Sequence, residues 1–265
     1  MPNHKIIAVA NQKGGVGKTT TAVNLTASLA ASENRTLLID MDPQGNATSG
    51  FGIDRDAVTV NTYTVLIGQN SIQEAIIPTP IKHLDIIPAT IDLIGAEVEL
   101  HQYKTNEKER FLKNCLQEIS DQYAFIIIDC PPSLGILTLN ALTAAGSVLI
   151  PIQCEYYAME GVTLLMRTIE LVRQSLNPDL EFEGILLTMH DARTNLSGQV
   201  IVEVKKYFKN MVYKTIIPRN VTLSEAPSHG KPVILYDIKS RGARSYLNLA
   251  QEVLNNAQKS FRKGA

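Results

Sequence analysis

A doubly wound α/β domain, with a mostly parallel sheet flanked by helices, is the fold class that three observations predict. Apolar strand candidates at 5–10, 36–40, 84–88, 124–129, 147–152, 182–189 and 212–217 alternate with helical patterns at 18–32, 91–101, 106–120, 134–145, 158–175, 197–209 and 243–258. Several strands are solidly apolar, as in Phe125-Ile126-Ile127-Ile128 and Ile185-Leu186-Leu187, which suits parallel strands covered on both faces. No Pro/Gly/Ser linker, repeat or low-complexity tract divides residues 1–265, so the pattern reads as one domain. In such a fold a ligand lies beyond the carboxyl ends of the strands, and the unusual motifs fall there.

The first strand, Ile6-Ile7-Ala8-Val9-Ala10, runs into Asn11-Gln12-Lys13-Gly14-Gly15-Val16-Gly17-Lys18-Thr19-Thr20, where a helix opens. Glycines let the backbone approach a polyphosphate, and the N–H groups of residues 14–20 form an anion nest at a helix N-terminus. Lys18 would reach the β- and γ-phosphates of a nucleotide, and the Thr19 hydroxyl would join the coordination of Mg²⁺. The strict P-loop pattern fails by one residue, because Gln12 stands where its first glycine belongs.

The second strand ends Leu37-Leu38-Ile39-Asp40-Met41-Asp42-Pro43. Strand alternation points Asp40 and Asp42 the same way, and two such carboxylates need a cation, a lysine or polarised water to offset them. A helix N-cap or an Asx turn is the competing use of either aspartate. Residues 51–83 are the least regular and are expected to carry short helices over one sheet edge. The strand at 124–129 ends Ile128-Asp129-Cys130-Pro131-Pro132-Ser133, a Walker B arrangement in which Asp129 holds Mg²⁺ and the prolines stiffen a switch loop. The segment 151–161 mixes aromatic and acidic residues and suits an interface, although ordinary packing of Tyr156 or Tyr157 explains it equally well. Two later loops, Thr188-Met189-His190-Asp191-Ala192-Arg193 and Ile217-Pro218-Arg219-Asn220, also follow strands.

The composition, 45% apolar over 265 residues, is enough for one sizeable core, and no apolar run approaches the ~20 residues of a membrane span. The chain enters its first strand almost at once, so no signal peptide is expected and a cytoplasmic location is. Cys115, Cys130 and Cys154 lack metal-site spacing and are expected as free, small hydrophobes. The net charge of −1 hides an asymmetry: residues 1–192 hold 12 Lys/Arg against 22 Asp/Glu, whereas 193–265 hold 13 against 4. A basic face for a polyanion is one use of that bias.

Lys13-Gly14-Gly15-Val16-Gly17-Lys18-Thr19 resembles the deviant P-loop of the ParA/MinD class of ATPases. The stretches 42–50, 130–133 and 224–232 resemble the small chromosomal ParA (Soj) proteins in particular. The resemblance implies ATP and Mg²⁺ as cofactors and a homodimer formed with ATP, in which Lys13 reaches the partner's nucleotide. It assigns Asp42 to positioning the attacking water, Asp40 to the surroundings of Lys18 and the metal, and Pro218 and Asn220 to cradling adenine through backbone groups. It implies non-specific DNA as a partner, with Arg193, Arg219, Lys231, Arg241 and Arg244 as candidate contacts, and a ParB-like activator of slow hydrolysis at the nucleoid. A solvated loop arginine is the other reading of Arg193. The family commonly has arginine where Thr222 stands here, which removes one charge from that surface. An N-terminal helix-turn-helix is not expected, nor therefore site-specific operator binding. The segment 245–265 is expected to be a helix packed on the sheet rather than a membrane anchor, so no stable membrane association is expected. MinD-like membrane positioning, a metabolic P-loop ligase and a non-catalytic nucleotide-gated scaffold are the alternatives.

Overall fold

The computed structural model describes residues 4–102, 107–155 and 158–263. Among these residues the sheet has eight strands: β1 (Lys5–Val9), β2 (Thr36–Asp40), β3 (Ile77–Pro78), β4 (Leu84–Ile87), β5 (Phe125–Asp129), β6 (Ser147–Gln153), β7 (Glu181–His190) and β8 (Val212–Pro218). The spatial order is β3-β4-β2-β5-β1-β6-β7-β8, and every pairing is parallel except β3 with β4. The chain lays β2 on one side of β1 and β6 to β8 on the other, so strand order reverses beside β1. That reversal opens a crevice at the strand ends, and residues 10–17 cross it.

The described residues form eleven helices over the sheet: α1 (Lys18–Ala31), α2 (Asn46–Ser49), α3 (Thr62–Leu66), α4 (Leu93–Gln102), α5 (Phe111–Leu116), α6 (Ile136–Ala144), α7 (Ala158–Ser175), α8 (Asn195–Phe208), α9 (Val221–Glu225), α10 (Val233–Tyr236) and α11 (Arg241–Lys263). Alternate strand residues feed two cores. Ala8, Leu37 and Ile39 pack with α3 to α8, whereas Ile7, Val9 and Leu38 pack with α1 and α11. Burial on both faces explains why these strands are apolar without alternation.

In α11 the residues Tyr246, Leu249, Ala250, Val253 and Ala257 are buried, and the helix lies against α1 and β8 as expected for a packed helix. It also closes a sheet edge. The Glu252 carboxylate accepts the backbone N–H groups of Lys214 (2.9 Å) and Thr215 (2.7 Å) on β8. The other edge, β3, is two residues long and contains Pro78, which blunts it.

The short helices α2, α9 and α10 lie where the sequence pattern predicts none, and two further parts differ from the sequence expectation. The strand β3 falls where the sequence pattern predicts none; the short helices over that edge are present as a 3₁₀ turn at Arg55–Ala57 and as α3. The helix expected at 106–120 shrinks to α5. The side chain of Asn140 takes backbone groups there, accepting from Leu112 N (3.2 Å) and donating to the Lys108 carbonyl (2.8 Å), and a 3₁₀ turn at Ser120–Gln122 follows.

Candidate functional site

The loop after β1 is pinned from below before it meets any ligand. Asn11 is buried, donates from Nδ2 to the Pro151 carbonyl (2.7 Å), and accepts the Lys13 N–H at Oδ1 (3.0 Å). Gly17, at φ +88°, is the left-handed N-cap of α1, a conformation that glycine adopts without strain. Lys18 is buried, and its ammonium donates to the Lys13 carbonyl (3.2 Å). Burial lowers its pKa, and the charges of Asp129, Cys130 and Asp42 oppose that shift. Lys13 points elsewhere: its ammonium lies 3.6 Å from Glu155 Oε2, with both side chains partly exposed. A methyl group placed on Gly14 would meet nothing within 4 Å, and its φ is not positive, so nothing within the chain requires glycine there.

Asp40, Asp42 and Asp129 meet at the ends of β2 and β5. Asp40 is fully buried and its oxygens are in use: Oδ1 accepts Asp42 N (3.1 Å), and Oδ2 accepts both Thr48 N (2.8 Å) and Thr48 Oγ1 (2.7 Å). Thr48 in turn accepts Ala89 N (2.9 Å), so Asp40 ties α2 to the end of β4. Burial pushes Asp40 up to about 6 despite these hydrogen bonds. Asp42 accepts Gln44 N at Oδ1 (2.9 Å), and Arg55 donates to the Gln44 carbonyl, which holds the turn that follows.

Asp129 differs from both. It is fully buried, and neither carboxylate oxygen has a well-formed hydrogen bond among the described residues. Burial and the Asp40 charge hold it well above the usual carboxylate range; the neighbouring Thr19 hydroxyl and Lys18 ammonium pull the other way. A buried carboxylate with open lone pairs beside a threonine hydroxyl and an anion nest fits a hard divalent cation. Among the described residues no three His, Cys, Asp or Glu side chains converge to hold a metal by themselves, so the donor set of Thr19 and Asp129 fits a cation that arrives with phosphate oxygens.

Next to this centre a cavity of about 500 Å³ is lined by Gly17, Thr20, Met189, Pro218, Asn220 and Tyr246 among others. Pro218 and Asn220 therefore border the space beyond the phosphate nest. The Asn220 side chain and carbonyl both accept Leu223 N (3.3 and 3.2 Å) at the N-cap of α9, which leaves the Asn220 N–H as the group to meet a ligand. Sequence reasoning gave no individual role to Asn11, Thr48, Thr188, Met189 or Tyr246, although the first four lie in segments that it singled out. Each meets a partner or a cavity wall remote in sequence, and no local pattern marks that contact.

Arg219, Lys231, Arg241 and Arg244 are exposed on the corner built by the end of β8, α9, α10 and the start of α11. Arg193 is exposed but paired: Nε and Nη2 donate to the two oxygens of Asp191 (2.9 and 2.7 Å), and these bonds hold Asp191 well below the usual carboxylate range. In the loop between, Gly230 meets Gly52 backbone to backbone; a methyl group on Gly230 would lie 2.5 Å from Gly52 Cα. Tyr156 and Tyr157 lie outside the described residues. All three cysteines are free, Cys130 and Cys154 being buried. Among the described residues no helix is long and apolar enough to cross a membrane.

Comparison with known proteins adds names to this geometry. Residues 4–182 match the family model described as an AAA domain. The chromosome partitioning protein ParA of Myxococcus xanthus is 59% identical over 250 residues, 94% of this chain and 88% of that protein. The chromosome-partitioning ATPase Soj of Treponema pallidum is 52% identical over 250 residues, 94% of this chain and 97% of that protein. Among solved structures, that of a Mycobacterium smegmatis protein described as cobyrinic acid a,c-diamide synthase, with bound ADP and magnesium, superposes with a TM-score of 0.85 at 39% identity, covering 97% of this chain and 96% of that one.

Proposed function

The chain belongs to the ParA and Soj family of chromosome-partitioning ATPases, and on that premise we propose that it works as an ATP-driven dimerisation switch on non-specific DNA. Its reaction is the hydrolysis of ATP to ADP and phosphate with Mg²⁺, and its role is chromosome partitioning. The backbone of Gly14 to Thr20 and the Lys18 ammonium bind the phosphates. Thr19 and Asp129 hold Mg²⁺, which when bound offsets the charge of the β- and γ-phosphates. Asp42 orients the attacking water, and Pro218 and Asn220 border the base. Asp40 takes a positioning role: with its oxygens on Asp42 N and Thr48, it holds the switch segment in place instead of meeting the metal.

The observation that carries this reading is the divergence of the two lysines. Lys18 turns into its own loop, whereas Lys13 turns out to Glu155 and stays partly exposed. An outward lysine beside Gly14, a glycine with open space around it, suits a second subunit that approaches closely and receives that lysine at its own nucleotide. There Lys13 neutralises charge developed during phosphoryl transfer, as an arginine finger does. Dimerisation doubles the basic corner of Arg219, Lys231, Arg241 and Arg244 and so raises DNA affinity steeply. A ParB-like partner stimulates the otherwise slow hydrolysis and releases the dimer from the nucleoid.

The test is DNA binding with ADP, ATP and a slowly hydrolysed analogue, repeated across salt, with the oligomeric state measured in parallel. Dimers and DNA binding are expected only in the ATP states, with a log–log salt slope of about −0.9 per phosphate contact. Nucleotide-independent binding, or none, overturns the proposal. The name carried by the mycobacterial structure supports a second reading, a metabolic synthase, at lower identity than the partitioning proteins. ATP turnover stimulated by cobyrinic acid, and not by DNA with a partner, would favour it.

A further inference from the structure

The end of β7 touches three parts of the site at once. Thr188, buried, donates from Oγ1 to the Val16 carbonyl in the phosphate loop (2.8 Å), a contact spanning 172 residues of sequence. Its own carbonyl accepts Cys154 N at the end of β6 (3.1 Å). Two residues on, the His190 carbonyl accepts Arg219 N (2.9 Å), beside the base-side pair Pro218 and Asn220. Between them Met189 stands at φ +52°, a left-handed conformation that is uncommon for a side chain of this size, and lines the cavity with Thr188.

We propose that Thr188 is a positioning residue for phosphate binding, fixing the orientation of the Val16–Gly17 peptide. This rests on the nucleotide-binding reading above and deepens it. A trans peptide carries its C=O and its N–H antiparallel across a rigid plane. Holding the Val16 carbonyl against β7 therefore turns the Gly17 N–H away from β7, toward the mouth of the loop. Gly17, left-handed and without a side chain, changes φ at low cost, which is the freedom that a flip of that peptide needs. In a flipped peptide the carbonyl oxygen would face the phosphates where a donor is needed. The Thr188 hydroxyl supplies the bias against that state. The same hydrogen bond couples the phosphate loop to the base-side wall, so the two halves of a nucleotide are met at a fixed spacing.

Thr188→Val removes the hydroxyl and keeps the shape; Thr188→Ser keeps the hydroxyl and loses a methyl group. One hydrogen bond of ordinary strength predicts that Thr188→Val weakens ADP binding about fivefold to tenfold in a fluorescence titration. Thr188→Ser should recover most of that loss. In ¹⁵N spectra the Gly17 amide should move downfield on adding ADP in the wild type and in Thr188→Ser, and should move much less in Thr188→Val. Circular dichroism before titration confirms that each variant is folded, and a Thr188→Val protein that does not fold leaves the decision to the serine and Thr188→Ala variants. Wild-type affinity and a wild-type Gly17 shift in the valine variant would overturn the inference. Failure of the wild type itself to bind ADP would instead overturn the nucleotide-binding reading.

Discussion

Asp40 and Asp129 stand opposite each other in the register of β2 and β5, both fully buried, and of the two Asp129 is the one whose carboxylate has no well-formed hydrogen bond among the described residues. Both carboxyls are harder to ionise in the fold than in the unfolded chain, chiefly because both are buried, with the Asp42 charge adding to this at Asp40 and the Asp40 and Asp42 charges adding to it at Asp129. As pH rises, the unfolded chain sheds these protons first. The nucleotide-free protein should therefore lose stability from about pH 4 to beyond about pH 6, the reverse of a salt-bridged aspartate. Thermal unfolding across this range checks the sign. Asp129→Asn removes one charge and should raise nucleotide-free stability by about 1–2 kcal/mol at pH 7.5 while weakening Mg²⁺-dependent nucleotide binding.

Lys13→Ala should leave ATP binding largely intact, since the proposed function assigns that binding to Lys18 and the loop backbone. It should abolish ATP-driven dimerisation and lower partner-stimulated hydrolysis by about 10³-fold, the scale of a charge supplied in trans. Light scattering with ATP reads the first effect and phosphate release the second. A normal ATP-dependent dimer would remove Lys13 from that role.

Asp42→Asn keeps the acceptor for Gln44 N and removes the charge proposed above to orient water. Hydrolysis should fall by about 10²–10⁴ with ATP binding and dimerisation retained. Single-turnover phosphate release, with the dimer assayed beside it, separates this from a loss of binding.

Glu252→Ala uncovers the backbone of β8 at Lys214 and Thr215. A stability loss of about 1–3 kcal/mol is expected by chemical denaturation. The reopened edge should also make the variant aggregate at concentrations where the parent stays clear, which turbidity on mild heating reports.

Gly230→Ala places a methyl group 2.5 Å from Gly52 Cα at a residue whose φ is +60°. The combined clash and strain should cost about 2 kcal/mol or more. Denaturant midpoints of Gly230→Ala and Gly52→Ala check it; the Gly52 variant should be milder, its nearest contact being the Gly230 oxygen at 3.2 Å.

What could be read from the sequence follows from what leaves a local mark. The long strands and α1, α6, α7, α8 and α11 are legible because each buries a run or a face of apolar residues. Helices of four or five residues, α2, α9 and α10, are too short to show a period, and β3 is a two-residue edge ending in Pro78. In the site, the glycine-rich loop and the strand-end aspartates are contiguous and stand out. The partners that hold them are not contiguous: Thr48 reaches Asp40, Asn11 reaches Pro151 and Thr188 reaches Val16, mostly through main-chain atoms that any residue possesses. Arg193 shows the same limit from the other direction, since nothing in its loop sequence announces that Asp191 takes its guanidinium.

The contact between Gly52 and Gly230 joins the exit of α2 to the loop that carries Lys231 with no side chain between them. Most packed surfaces take up a small displacement by turning a rotamer, which is where motion dissipates. Two bare backbones have no such slack. At this crossing a displacement at the exit of α2 meets the backbone of the loop that carries Lys231 directly, with no rotamer in between to absorb it.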